Sequence, residues 1–247
     1  MKLSIIIPAL NEERYLPKLL ESIQRQSFKD YEIIMADAES EDETAEIAKS
    51  YGCRVVKGGS PGRGRNEGAK AAQGDLFLFL DADLILPKGF LQTLLSEFEK
   101  RKLDIVSCPV VTEGNNKLDQ FAYIKIYKNL GKLTQKFLPH APGAVILVKK
   151  NVHLVIQGFD EEVKFAEDHH YVRLAKKKAK AKFGFLDVGP VLISARRMET
   201  DGRVRTYSKY LFAEIYMALL GPIKSDIFKY KFNHYKDKND SLPVAKL

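Results

Sequence analysis

Apolar and polar positions in the first 110 residues alternate between two periods. Residues 3–7 form a short apolar run stopped by Pro8, as expected of a strand buried on both faces. Leu16, Leu19, Leu20 and Ile23 then fall at i, i+3, i+4 and i+7, one face of a helix. Pro17 belongs near that helix's start, because an interior proline would break it. Residues 32–36 read as a second strand. Ser40 and Glu43 have capping-box spacing for a helix that carries Ile47, Ala48 and Tyr51 and ends at Gly52. A short strand over 54–56 and a small-residue helix over about 63–73, closed by Gly74, come next. Leu76–Leu80 is the clearest strand and runs straight into Asp81-Ala82-Asp83. A helix over 90–98 and a strand over 105–111 complete this part.

The alternation predicts an α/β fold with a doubly wound, mostly parallel sheet. Ligands bind such sheets at the carboxyl ends of the strands. Asn11, Glu12, Asp37, Asp81 and Asp83 all follow strands. The second half is less regular. A long helix is expected over 118–137, a strand over 144–148, a helix over 167–182, strands over 183–186 and 191–193, and an apolar helix over 207–220. The expected organisation is one mixed domain over 1–205, with a ligand-binding half (1–110) and a second half (111–205), followed by an extension over 206–247.

Composition narrows the class. Hydrophobic residues make up 45% of the 247, enough for a sizeable core, and no repeat or linker-like stretch interrupts them. No apolar run reaches the roughly 18 residues of a membrane-spanning helix. The N-terminal run is too short, and too soon broken by Pro8, Asn11 and Glu12, for a signal peptide. With Cys53 and Cys108 isolated on apolar segments, the expectation is a cytoplasmic protein with buried thiols.

Charge is unevenly placed. Residues 1–170 hold 23 Lys/Arg and 25 Asp/Glu, a balance of −2, whereas residues 171–247 hold 17 and 7, a balance of +10. The basic third points to an anionic partner: nucleic acid, a phospholipid surface or a phosphorylated substrate. Helix-turn-helix, zinc and aromatic RNA-binding signatures are all absent, which disfavours a nucleic-acid-binding module.

Asp81 and Asp83, two apart at a strand end, start on one side of the chain. They offer hard oxygens to Mg²⁺ or Mn²⁺ and leave positions open for a diphosphate. Taken alone, such a pair reads more readily as a solvated turn. It is joined in order by residues 5–13 (Ile-Ile-Ile-Pro-Ala-Leu-Asn-Glu-Glu), 37–44 (Asp-Ala-Glu-Ser-Glu-Asp-Glu-Thr), 64–69 (Gly-Arg-Asn-Glu-Gly-Ala), and Gly158-Phe159-Asp160-Glu161 with Glu167-Asp168 and Arg173 beyond. Together these stretches resemble the family 2 glycosyltransferases, nucleotide-sugar-dependent inverting enzymes of the Rossmann-like GT-A fold.

The resemblance implies a role for each matching residue. Pro8, Ala9 and Glu12 would frame the donor nucleoside, and Asp37 would accept a hydrogen bond from its base. Arg65 would lie near the donor. Asp81 would hold the ribose or a metal-bound water, and Asp83 would ligate a divalent Mn²⁺ or Mg²⁺ ion bridging the phosphates of a UDP- or GDP-sugar. Asp168 would deprotonate the acceptor hydroxyl, whose identity the resemblance leaves open. The family's acidic turn usually carries a second Asp and a Gly, where this chain has Ala38 and Glu39. The Gln-x-x-Arg-Trp signature of processive members is absent, as is tryptophan altogether. Gly143-Ala144-Val145 resembles the acceptor-side loop and strand. A nucleotidyltransferase, the rival enzyme reading, would carry a Gly-rich basic loop directly after the first strand, where this chain has Pro8 to Glu12.

Other residues keep two readings. Glu167 and Asp168 also suit the N-terminus of a helix. His140, His169 and His170 offer either a third metal ligand or ordinary packing. Arg196 and Arg197, with Arg203 and Arg205 beyond, suit a diphosphate clamp or a solvated basic loop. The stretch 207–220, followed by Lys224, Lys229 and Lys231, suits an anionic membrane interface, a core helix or a subunit contact.

Overall fold

The computed structural model describes residues 2–114 and 143–228, together with Asn116, Asp119, Asn129, Leu133, Gln135, Pro139 and Ala141. The helix expected over 118–137 falls almost wholly outside the described residues, as do His140, Lys229 and Lys231.

Strand and helix alternate as the pattern predicts: β1 (Leu3–Ala9), α1 (Leu16–Gln24), β2 (Tyr31–Asp37), α2 (Thr44–Ser50), β3 (Arg54–Lys57), α3 (Pro61–Ala71) and β4 (Leu76–Leu80). After β5 (Leu84–Ile85) come α4 (Phe90–Lys100), β6 (Ile105–Ser107), β7 (Val110–Thr112) and β8 (Val145–Lys149). The rest is α5 (Lys150–Ile156), α6 (Glu167–Lys178), β9 (Phe183–Phe185), β10 (Val191–Ile193), α7 (Arg196–Thr200) and α8 (Arg203–Leu220). The main sheet has the order β3-β2-β1-β4-β8-β6-β9. Its pairings make every strand parallel to β1 except β8, which runs against both neighbours.

The sheet is covered on both faces. Leu3, Ile5, Ile7, Leu78 and Leu80 pack against Leu16, Leu19 and Leu20 of α1 and Phe90, Leu91 and Leu94 of α4. Ile6, Phe77 and Phe79 point the other way, toward α3, α5 and α6. This is the period-2 alternation of a strand with core on either side. α3 is poor in helix formers, yet its glycines let it approach β1: a Cβ on Gly68 would meet Ile6 Cγ2 at 2.4 Å.

Several expectations need correction. The strand expected over 105–111 is two strands, because Pro109 carries no N–H to continue the ladder. β6 stays in the main sheet, and β7 joins a second sheet of order β5-β10-β7. The capping box does not form. Ser40 Oγ instead donates to Asp37 Oδ1 (2.6 Å), and Asp42 Oδ1 accepts from the Thr44 N–H (3.0 Å). α6 ends at Lys178 rather than 182, where Lys180 takes a positive φ and the chain turns into β9. α5 and β5 were not expected; both are too short to leave a periodic signal. α8 begins at Arg203 rather than 207. Nor is α8 a core helix, since only Thr206, Ala213 and Met217 along it are buried.

From β1 the chain leads one way across the sheet through β2 and β3, and the other way through β4 and β8, so the crevice between the ends of β1 and β4 is the switch point of the winding.

Candidate active site

Two turns build one wall of the crevice. Pro8 and Ala9 close β1, with Gly64 of α3 so near that a Cβ on it would lie 3.0 Å from Pro8 Cβ. The Asn11 backbone N–H donates to Ser40 Oγ (3.0 Å), and Asn11 Oδ1 accepts from the Glu41 N–H (2.8 Å). The Glu12 N–H donates to Thr44 Oγ1 (2.7 Å). Asp37 ends β2 and accepts from both the hydroxyl and the N–H of Ser40. The turns after β1 and β2 are thus one hydrogen-bonded unit, with Asp37 at its rim.

Opposite lie the carboxylates of Asp81 and Asp83. The Asp81 N–H donates to the Ala144 carbonyl (3.2 Å), which pins the end of β4 to β8. The Ser194 N–H donates to the Asp83 carbonyl (3.1 Å), so the second sheet delivers the segment after β10 to the same place. Arg196 arrives there as a cation between acids. Its Nη1 and Nη2 donate to Glu12 Oε2 and Oε1 at 2.8 and 2.6 Å, and Nη2 lies 3.3 Å from Asp83 Oδ2. Its guanidinium also stands 5.0 Å over the Tyr15 ring. Burial pushes the Glu12 carboxyl up to about 7, against the lowering effect of Arg196. Burial also raises Asp83, with Arg196 opposing and the like charge of Asp81 adding to the rise.

Among the described residues no three His, Cys, Asp or Glu side chains are arranged to enclose a metal. The donor set still fits a divalent ion. Asp81 and Asp83 supply hard oxygens, a cation already balances Asp83, and such ions complete their shells with phosphate and water.

Arg65 ties this end of the site to the other. Its side chain, 4% exposed, donates from Nη2 to Asp81 Oδ1 (2.8 Å) and from Nη1 to Glu167 Oε1 (2.7 Å). Burial works against its charge, but Asp81, Glu167 and Asp168 outweigh it and hold the guanidinium above its ordinary range. Glu167 and Asp168 open α6. Asp168 is buried, and burial pushes its carboxyl up to about 6; His169 and Arg65 hold it down while Glu167 adds to the rise. A Cβ on Gly143 would lie 2.5 Å from Asp168 Oδ2, so glycine there is what admits the carboxylate. Asn66, one residue on from Arg65, fixes the approach to α6: its Nδ2 donates to the Phe159 carbonyl and to Glu161 Oε1, each at 2.9 Å. Its Oδ1 accepts from the Phe159 N–H (2.8 Å).

Residues 4–154 match the sequence profile described as Glycosyl transferase family 2. The chain belongs to this family. It is 29% identical over 188 residues to the GalNAc(5)-diNAcBac-PP-undecaprenol β-1,3-glucosyltransferase of Campylobacter jejuni, covering 72% of this chain and 61% of that enzyme. It is 26% identical over 189 residues to the poly(ribitol-phosphate) β-N-acetylglucosaminyltransferase TarS of Staphylococcus aureus, covering 71% of this chain and 32% of TarS. The chain therefore spans less than two thirds of either relative. Its fold is GT-A, like that of TarS 1–349 in complex with UDP-GlcNAc (TM-score 0.65, 22% identity, 87% of this chain and 67% of that one). The mannosyltransferase PcManGT of Pyrobaculum calidifontis, in complex with GDP-Man and Mn²⁺, superposes similarly (TM-score 0.64, 16% identity, 89% and 70%).

The profile match ends in α5, before Glu167 and Asp168, and the Arg65 clamp is what ties these two residues to the crevice. Of the residues expected at the site, Glu12, Asp81, Asp83 and Arg196 converge, and Arg65 joins them to Asp168. Arg197 turns aside to donate to the Tyr210 hydroxyl (3.3 Å), although its charge still lowers Asp83. His170 lies 3.8 Å from Asp160, and His169 stands against Asp168 and Glu214; these contacts are with neither Asp81 nor Asp83. Sequence reasoning missed Asn66 as a loop anchor, Tyr15 as the ring under Arg196, and Glu214, which stands as a lone acid in an apolar stretch.

Proposed function

We propose that the protein transfers a hexosyl group from a UDP- or GDP-sugar to a hydroxyl acceptor, with a divalent cation and with inversion at the anomeric carbon. The observation that supports this reading is the clamp of Arg65 on Asp81 and Glu167, which holds the end of β4 and the start of α6, with its buried carboxylate Asp168, in one crevice. The complexes of TarS with UDP-GlcNAc and of PcManGT with GDP-Man and Mn²⁺ support the donor class and the cation.

Glu12 and Asp37 would frame the nucleoside beside Pro8 and Ala9. Asp83 and Asp81 would hold the divalent ion, which when bound supplies positive charge to the departing diphosphate. Arg196, freed from Asp83, would add a second cation there. Asp168 would take the proton of the acceptor hydroxyl as its oxygen bonds to the anomeric carbon. The bond from that carbon to the phosphate oxygen breaks, and its electron pair leaves with the diphosphate. Attack opposite the leaving group inverts the centre.

A lipid-linked acceptor at an anionic membrane, on the cytoplasmic side, is favoured by α8. Val204, Leu211, Phe212, Ile215 and Leu219 form one outward stripe, each between 48% and 77% exposed, opposite the buried Ala213 and Met217. Arg205 and Lys209 lie along one side of the stripe, basic groups that suit an anionic membrane interface. No described helix is long and apolar enough to cross a membrane. The C. jejuni relative, by its name, uses an undecaprenol-linked glycan.

Asp168→Asn tests the base. With the Asp168 carboxyl at about 6, wild-type turnover should fall about tenfold per pH unit below that point and level off above it. The variant should keep donor affinity and lose about 10²–10⁴ in turnover. An Asp168→Asn enzyme with unchanged turnover, or with its loss confined to donor affinity, rules the base assignment out.

A further inference from the structure

Glu214 brings α8 to the candidate base. Its Oε1 is in direct contact with His169 Nδ1, and its Oε2 accepts from Arg173 Nη2 at 2.9 Å. The other ring nitrogen, His169 Nε2, stands 3.9 Å from Asp168 Oδ1. With His169 protonated, the four groups would alternate in sign from Asp168 through His169 and Glu214 to Arg173. Their side chains are between 12% and 29% exposed, so solvent screens the row only weakly.

We propose that Glu214 and His169 are positioning residues for Asp168: Glu214 holds His169 as an imidazolium, and that charge keeps Asp168 an ionised base. The proposal rests on Asp168 being the base. It makes α8 part of the reaction machinery, although the helix packs on its own small core of Phe165, Ala213, Met217 and Ile223.

The surrounding charges agree in sign. Around His169 stand Asp168 and Arg173 on α6 and Glu214 on α8. Burial lowers its pKa, but the two carboxylates outweigh burial and Arg173 and leave it raised. Around Asp168 stand Glu167 and His169 on α6 and Arg65 on α3. Burial makes ionisation of Asp168 costly, and the imidazolium and the Arg65 guanidinium oppose that. Loss of the Glu214 charge would let His169 deprotonate, and Asp168 would then titrate at higher pH.

The test is Glu214→Gln, which keeps shape and hydrogen bonding, read by the pH dependence of turnover and by ¹⁵N NMR of the His169 ring. The expected result is an acid limb displaced to higher pH, roughly a tenfold loss at pH 6 that disappears by about pH 8.5. Donor affinity should be unchanged, and the His169 resonance should titrate lower than in the wild type. Met217→Ala, which loosens α8 without touching the charged row, should leave the position of the acid limb where it is. A Glu214→Gln enzyme with the wild-type acid limb and wild-type His169 titration overturns the proposal. So does an equal displacement in Met217→Ala. The His169 titration also separates this proposal from the base assignment: a lowered His169 with an active Asp168→Asn variant would sink the assignment and leave the Glu214–His169 pairing intact.

Discussion

Arg196 Nη2 lies 3.3 Å from Asp83 Oδ2, so one of the protein's own cations already rests on the carboxylate expected to hold the metal. On the proposed function, guanidinium and divalent ion would compete for the same oxygen. Arg196→Ala should therefore bind Mn²⁺ alone more tightly than the wild type, by at least about tenfold given the charge it removes from Glu12 and Asp83. It should bind the nucleotide sugar more weakly, having lost a diphosphate contact. Calorimetry with Mn²⁺ alone and then with donor reads both. Weaker Mn²⁺ binding by the variant would mean that Arg196 orders the carboxylates rather than competing for them.

Gly143 is the neighbour that leaves room for Asp168. A Cβ there would stand 2.5 Å from Asp168 Oδ2 and 3.0 Å from its Cγ. Gly143→Ala should displace the carboxylate and lower turnover by about 10², the scale of a misplacement near 1 Å. Donor affinity should hold, because the strand ends are untouched. Comparison of turnover with equilibrium donor binding checks this, and a loss carried wholly by binding would place Gly143 in the donor site.

The legible parts of this fold were those with a long period. β1 and β4 are apolar throughout, α1 shows its stripe at i, i+3, i+4 and i+7, and Asp81 and Asp83 follow β4 directly. What sequence left out is long-range or too short to be periodic. Nothing near Arg65 announces that it spans to Glu167, 102 positions away, and nothing near Glu12 announces Arg196, 184 away. The break at Pro109 was visible as a proline. Its result, a second sheet that delivers Arg196 to Asp83, depends on β10, far along the chain. Glu214 was hidden by its own setting, because a lone acid in an apolar helix reads as an interruption until its partner on α6 is known.

α8 should hold the protein on anionic bilayers. Each Lys or Arg near such a surface contributes about 1 kcal/mol, and the exposed stripe adds apolar burial. Screening shortens from ~8 Å at 0.15 M salt to ~3 Å at 1 M. Sedimentation with vesicles containing anionic lipid should show binding that weakens as salt rises, and Leu211→Asp with Ile215→Asp should abolish it. Indifference to such vesicles at low salt would turn the stripe over to a protein contact and favour a soluble acceptor.

The central claim is that Asp83 and a divalent ion together bind the donor's diphosphate. Its most direct test is calorimetric binding of UDP- and GDP-sugars, with Mn²⁺ and with chelator, to the wild type and to Asp83→Ala. The account predicts that one of these donors binds the wild type and that Mn²⁺ strengthens this binding by at least about tenfold. Asp83→Ala should lose the Mn²⁺-dependent part while unfolding as the wild type does. Donor binding that is the same with and without the ion, or the same in both proteins, would contradict it.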